Sequence, residues 1–296
     1  MQPIPYTKQQ VGEPLFPKLL YNRPISRHGA GRLLIVGGRP SYVGEVQAAY
    51  ALATAAGIGE CRVALPDSLV RLVGPSGTGE FVPSGHGGVL AKISLAELLA
   101  LLQNYDAACI GPSTGHNSET TLLLESLLQK SELPMIITGD GLVGLGSSIQ
   151  SITQRPLTTV VCTMPELFKL AGKLGVGIQI TAEGGLRNKV QIVADVAAAG
   201  LASLVVTGPE LISVEAGETT VTTITGNASD LTPGFAGVVA SLLTQNPNKR
   251  QEAVVSACYL AAIAMQYLEE DREAHVTTNF EMAVARALRT IDDQNF

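Results

Sequence analysis

The sequence predicts an α/β protein in three layers, a mostly parallel sheet with helices on both faces. Three observations carry this. Short apolar, β-branched runs alternate with longer Ala/Leu-rich segments along most of the chain. Several of those runs are apolar at every position, as strands buried on both faces of a parallel sheet must be. Repeated strand–helix alternation then lays successive strands side by side through crossover helices.

The strands are read at Arg32–Val36, Cys61–Leu65, Asp106–Ile110, Pro134–Thr138, Thr158–Cys162, Ile178–Thr181 and Ser203–Thr207. The helices between them are Val43–Ala56, Ser94–Gln103, Ser118–Lys130, Met164–Leu174 and Arg187–Ala199. Ser94 and Glu97 have the S-x-x-E spacing of a capping box, and Gly57 stands where a helix-ending glycine belongs. Leu211–Glu215 and Thr219–Ile224, joined through Ala216-Gly217-Glu218, read as a hairpin that adds an antiparallel edge. Helices at Ala236–Leu243, Gln251–Glu269 and Asn279–Ile291 finish the chain. The first thirty residues are Pro-rich and read as an irregular segment, and Gly74–Gly88 reads as a surface loop. With no linker or internal repeat, residues 1–296 read as a single domain.

Composition narrows the function classes. Apolar residues make up 46% of the 296 and charged residues 16%, which supports a large core and argues against disorder. A net charge of −6 is the wrong sign for a nucleic-acid footprint. No run of about 18 apolar residues is free of Gly, Pro or charge, so no membrane span is expected. The N-terminal residues lack the apolar stretch of a signal peptide. Cys61, Cys109, Cys162 and Cys258 are far apart with no CxxC pair, which reads as free thiols in a reducing cytoplasm and offers no metal site.

In such a sheet, ligands bind beyond the carboxyl ends of the strands, so the residues after each strand are the informative ones. Gly37-Gly38 with Tyr42 and Gly44 follow the first strand; the glycines serve a ligand loop or a tight turn equally well, and they do not form a GxGxxG fingerprint. Gly111-Pro112-Ser113-Thr114-Gly115-His116 leads into a helix and reads as an anion cradle, with His116 a solvated loop residue or a ligand contact. Asp140, between Gly139 and Gly141, suits a metal, a ligand hydroxyl or an ordinary turn. Thr207-Gly208 and the small-residue stretch Gly226–Gly237 have the composition of a backbone-amide phosphate site, but they do not match a P-loop.

Taken in order, these segments resemble the NAD(P)H-hydrate dehydratase family, a branch of the ribokinase-like superfamily, from about Arg27 to the last helix. The resemblance rests on His28-Gly29-Ala30-Gly31, Gly37-Gly38, Tyr42-Val43-Gly44-Glu45, Gly111-Pro112-Ser113-Thr114-Gly115, Thr138-Gly139-Asp140-Gly141-Leu142 and Ala236–Leu243. It implies a ribokinase-like fold, use of ATP or ADP with Mg²⁺, and dehydration of hydrated NADH or NADPH, a carbon–oxygen lyase reaction. It further implies a homo-oligomer. Carried over residue by residue, it places substrate contacts at Gly38, Tyr42, Gly44, Gly115, Asp140 and Thr163. Nucleotide contacts fall at Thr207, Gly208, Gly234 and Gly237. The departures are chemical ones. Thr163 stands where the family has His, Thr207 where it has a phosphate-binding Lys, and Pro233 where it has the catalytic Asp, leaving Asp230 as the candidate base. Loss of a base and a phosphate cation costs orders of magnitude in rate. The expectation is therefore a divergent, nucleotide-binding relative with weak or no turnover. The alternatives are a non-catalytic sensor or scaffold, and a ribokinase-like small-molecule kinase.

Overall fold

The computed structural model describes residues 4–74, 77–145, 148–153, 155–178, 185–201 and 203–293. Ten strands form one sheet: β1 (Thr7–Gln9), β2 (Arg32–Val36), β3 (Glu60–Pro66), β4 (Gly79–Val82), β5 (Ala107–Ile110), β6 (Met135–Ile137), β7 (Thr158–Thr163), β8 (Ser203–Thr207), β9 (Glu210–Glu215) and β10 (Glu218–Thr223). Their order is β1-β10-β9-β8-β7-β6-β5-β2-β3-β4. Only β9 runs against its neighbours; the other described pairings are parallel.

The helices are α1 (Pro17–Tyr21), α2 (Gly44–Ala55), α3 (Val70–Val73), α4 (Leu95–Leu102), α5 (Ser118–Lys130), α6 (Asp140–Gly144), α7 (Gln150–Thr153), α8 (Met164–Lys173), α9 (Leu186–Ala198), α10 (Thr232–Gln245), α11 (Arg250–Glu273) and α12 (Phe280–Asp293). They cover both faces, and the strands alternate between two cores. Leu33 and Ile35 of β2 join α1, α2, α10, α11 and α12 on one face. Leu34 and Val36 join α4, α5, α8 and α9 on the other. This is the three-layer architecture expected from the sequence. Within the first layer α10 is buried along nearly its whole length, a helix sealed between the sheet and its neighbours.

Several sequence expectations change. The first thirty residues are not irregular throughout: β1 pairs in parallel with β10 and becomes the edge of the sheet, so the hairpin is internal. Three polar residues form that strand because the amide of buried Gln9 donates to Thr222 and to the carbonyl of Val255, at 3.0 Å each. β4 lies inside the stretch read as a loop and pairs with β3. The Ser94–Glu97 capping box is not formed. The Ser94 hydroxyl instead donates to the carbonyl of Pro83 at 2.6 Å and accepts from Ala91 N–H. Gly57 does end α2, at φ +87°, with its N–H on the carbonyl of Thr54 and that of Ile58 on Ala53. The hairpin turn is Ala216-Gly217, both left-handed, as a two-residue connection needs. The expected strand Ile178–Thr181 falls largely outside the described residues.

Candidate functional site

The order β6-β5-β2-β3 makes β2 and β5 adjacent while their following helices leave in opposite directions, which opens a crevice at their carboxyl ends. A cleft of about 540 Å³ lies there, on the α2–α10 side of the sheet. It is built from Tyr42 to Leu52 on α2 and its approach, Gly139 to Val143 after β6, Thr163 and Glu166 after β7, Ser229 to Gly234 before and within α10, and Asn279 to Glu281 at the start of α12.

Each wall has a local cause. Thr163 caps α8: its hydroxyl meets the N–H of Glu166, while the Glu166 carboxylate accepts the Thr163 N–H at 2.7 Å, a reciprocal T-x-x-E box. The position that resembles a substrate-side His is thus a helix cap. Glu45, in the first turn of α2, reaches across to the loop after β5 and accepts both the N–H and the hydroxyl of Ser113, at 2.8 and 3.0 Å. Asp140, at the start of α6, accepts the N–H of Gly115 at 2.9 Å, with Arg39 4.0 Å and His116 3.8 Å away. The amides expected to cradle an anion are therefore taken by carboxylates of the protein itself.

At the start of α10, Thr232 and Pro233 are the first two helical residues. Proline is tolerated there because its missing N–H would have no helical partner. The Thr232 hydroxyl lies 2.6 Å from that of Thr207, which is buried at the end of β8 and also reaches the carbonyl of Cys162. Where the resemblance calls for a Lys and an Asp, two neutral hydroxyls hold each other and an imide nitrogen stands beside them.

The structure brings Tyr42, Gly44, Asp140, Thr163, Asp230 and Gly234 together in the cleft. The other expected site residues lie elsewhere. Gly38 is buried, with its absent side chain against Leu65. Gly115 borders a neighbouring cavity with Arg39 and His116. Gly208 holds Ala228 through its carbonyl at 2.9 Å. Gly237 lies against the backbone of Ala49 in the contact between α10 and α2. Of the lining carboxylates Glu45, Glu166 and Glu281, the sequence reading singles out none as a site residue and quotes Glu45 only as part of the Tyr42–Glu45 motif. Glu45 was within reach, one residue past Gly44; Glu281 gives no signal, because only the fold brings α12 to this edge.

The lining carries Glu45, Asp140, Glu166, Asp230 and Glu281, and no Lys, Arg or His among the described residues. No group of three or more His, Cys, Asp or Glu among the described residues is placed to hold a metal ion. No helix among the described residues is long and apolar enough to cross a membrane.

Topology and cleft define a ribokinase-like α/β protein. Its fold matches a ribokinase-like superfamily protein from Enterococcus faecalis at a TM-score of 0.71 and 18% identity, covering 100% of this chain and 99% of that one. It matches the ADP/ATP-dependent NAD(P)H-hydrate dehydratase of Bacillus subtilis, co-crystallized with ATP/Mg²⁺ and soaked with CoA, at 0.66 and 15%, covering 96% and 99%. The NAD(P)H-hydrate dehydratase family model matches residues 33–285, and the chain belongs to that family. A bifunctional NAD(P)H-hydrate repair enzyme of Moorella thermoacetica is 26% identical over 223 residues, 73% of this chain and 41% of the relative. That of Thermofilum pendens is 30% identical over 51% of this chain and 30% of its own. The chain thus spans less than half the length of these curated relatives.

Proposed function

We propose that this chain is a dehydratase-family protein that holds a nucleotide or dinucleotide in the cleft between α2 and α10 and turns it over weakly or not at all. The observation that carries this reading is the Thr207–Thr232 hydroxyl contact beside Pro233. Phosphoryl transfer relies on positioned charge: a cation on the transferring group and a base on the attacking hydroxyl. Neutral hydroxyls supply neither. Asp230 is the carboxylate nearest in sequence, and it sits exposed on the cleft rim, where water screens it. Family membership and the retained cleft support binding; a neighbour of the same fold was co-crystallized with ATP/Mg²⁺. In this reading Tyr42, Gly44, Asp140, Thr163 and Gly234 contact the ligand.

The test is incubation with NADH hydrate, Mg²⁺ and ATP or ADP, following the return of NADH absorbance, with thermal melting alongside. Expected are a nucleotide-dependent rise in melting temperature and little or no dehydration. Rapid dehydration overturns the reading, makes the protein a carbon–oxygen lyase and turns attention to Asp230→Asn. Absence of any thermal response removes the nucleotide from the cleft.

A further inference from the structure

A second cavity, of about 570 Å³, is walled by Arg39, Ser41, Gly87, Gly115, His116 and Asn117. Asp140 links it to the cleft. Its side chain lines the cleft, and its carboxylate lies 4.0 Å from Nη1 of Arg39 and 3.8 Å from Nδ1 of His116. Both distances are too long for a hydrogen bond, so Asp140 attracts the two side chains without taking their N–H groups. The Arg39 side chain donates to no described residue, and its Nε is buried without a partner. A half-buried guanidinium in that state is costly, and a buried donor left unanswered calls for an explanation. Two other partly buried arginines avoid that cost. Arg155 donates to the carbonyls of Leu128, Ser131 and Leu133, and Arg250 to Glu215 and Thr159. Arg39 borders a cavity instead. The backbone there is open as well, because nothing lies within 4 Å of where a side chain would begin on Gly87 or Gly115. Asn117 caps α5, so the positive end of a 13-residue helix adjoins the same space.

We propose that Arg39 and His116 form an oxyanion subsite beside the cleft, and that the group it takes is a phosphate. A guanidinium meets phosphate oxygens with paired N–H donors, and such charge-assisted bonds are the strong ones. His116 adds a ring N–H, and a second positive charge once protonated. Asp140 is a positioning residue in this arrangement: it draws the guanidinium and the imidazole toward one carboxylate and leaves their donors to the ligand. The cleft wall itself carries carboxylates, so a ligand lying in the cleft directs its phosphate past Asp140 to this pair. That last step rests on the cleft being the nucleotide site; the subsite itself does not.

The probe is inorganic phosphate. Melting temperatures are measured in sodium phosphate and in sodium chloride, at one pH and equal ionic strength, for wild type, Arg39→Met and Arg71→Met. Arg71 is an exposed arginine outside the cavity wall and serves as the control. Phosphate stabilises folded proteins generally, and that effect acts on all three alike. The rise in phosphate over chloride is expected to be about 2 °C or more larger in wild type and Arg71→Met than in Arg39→Met. An Arg39 that serves only the fold lowers the melting temperature of Arg39→Met equally in both salts and leaves the rise intact, and that result overturns the proposal. If Arg39→Met yields no folded protein, Ser41→Glu carries the comparison, because Ser41 is exposed on the cavity wall and the substitution sets a negative charge there while Arg39 stays. A rise in Ser41→Glu equal to that of wild type overturns the proposal as well. ADP then tells the source of the phosphate. A shift with ADP that also shrinks in Arg39→Met is expected and makes the group the nucleotide's own; an undiminished one overturns that step and leaves a free phosphate in the subsite. The inorganic phosphate response is read without nucleotide, so the subsite and the nucleotide reading of the cleft can fail separately.

Discussion

Gly237 of α10 lies so close to Ala49 of α2 that a methyl group added at Gly237 would begin 2.1 Å from the Ala49 carbonyl oxygen. Gly234, one turn earlier, faces side chains instead, with Leu52 Cδ1 at 2.5 Å and Ala48 Cβ at 3.3 Å from where its own side chain would begin. The two helices that frame the cleft are thus set by backbone contact. Gly237→Ala is expected to force them apart and to destabilise the fold by about 1–3 kcal/mol or more, the usual cost of overpacking a filled core. Urea unfolding checks this. A stability equal to wild type would mean that the helices yield easily, and the cleft width would then not be fixed by this contact.

Thr163→Ala removes one arm of the Thr163–Glu166 capping box. Loss of such a cap costs about 0.5–2 kcal/mol. Thr163→Ser and Thr163→Asn keep a capping oxygen and are expected to retain most of the stability. A Thr163→His variant restores the residue type of the family pattern but not the cap. It is expected to lose stability like Thr163→Ala, as read by chemical unfolding.

How much of this could be read in the chain differs by level. β2, β8 and α5 fall at the residues that the apolar pattern marks, because buried parallel strands and an amphipathic helix leave strong periodic signals. β1 and β4 leave none. Thr7–Gln9 is polar and becomes a strand only through Gln9 and its distant partners, and Gly79–Val82 is short and lies among glycines. The site was half legible for a related reason. Strand ends are sequence positions, so Tyr42, Gly44, Asp140 and Thr163 could be picked out, whereas the pairing of Glu45 with Ser113, 68 residues away, exists only once the loops converge. Gly237, a nucleotide contact by the resemblance, packs against Ala49 of α2, and in one dimension a glycine beside a cleft and a glycine between two helices look alike.

Arg250, at the start of α11, joins β9 and β7: its guanidinium meets Glu215 at 3.1 Å and the hydroxyl of Thr159 at 2.8 Å. Both charged side chains are largely buried, at 17% and 9% exposure; Arg250 meets Oε1 of Glu215, and Oε2 accepts no hydrogen bond from the described residues. Arg250→Met strands that carboxylate. The expected loss is about 3–5 kcal/mol, the range for breaking a buried pair from one side. Arg250→Met with Glu215→Leu is expected to recover much of it, because removing both charges also removes the cost of burying them. Unfolding curves of the two singles and the double give the coupling, and additive losses would count against a buried pair.

The thiols give the fold a pH limit on the alkaline side. Burial pushes Cys258 up to about 12 from an ordinary 9.0, partly offset by the side chain of Ser213, and burial with the nearby Glu60 pushes Cys61 up to about 12. Cys109 and Cys162, both buried, move in the same direction, chiefly through burial. A raised value in the folded chain means that, above 9.0, the unfolded chain has released a proton that the folded chain still holds. Stability from these groups is therefore complete below 9.0 and falls as pH rises toward 12, by about 1.4 kcal/mol per pH unit for each thiol that behaves this way. Unfolding free energies measured between pH 8 and about pH 10.5 are expected to decline steeply, and Cys258→Ala to flatten the decline even as it costs stability at neutral pH. Iodoacetamide at pH 8 should label the native chain slowly at every cysteine and label all four once urea is added, since the thiolate is the reactive form. Rapid labelling of Cys109, Cys162 or Cys258 in the native chain would mean that the sheet and α11 open on the time scale of the reaction, and the alkaline decline would then have to be assigned to other groups.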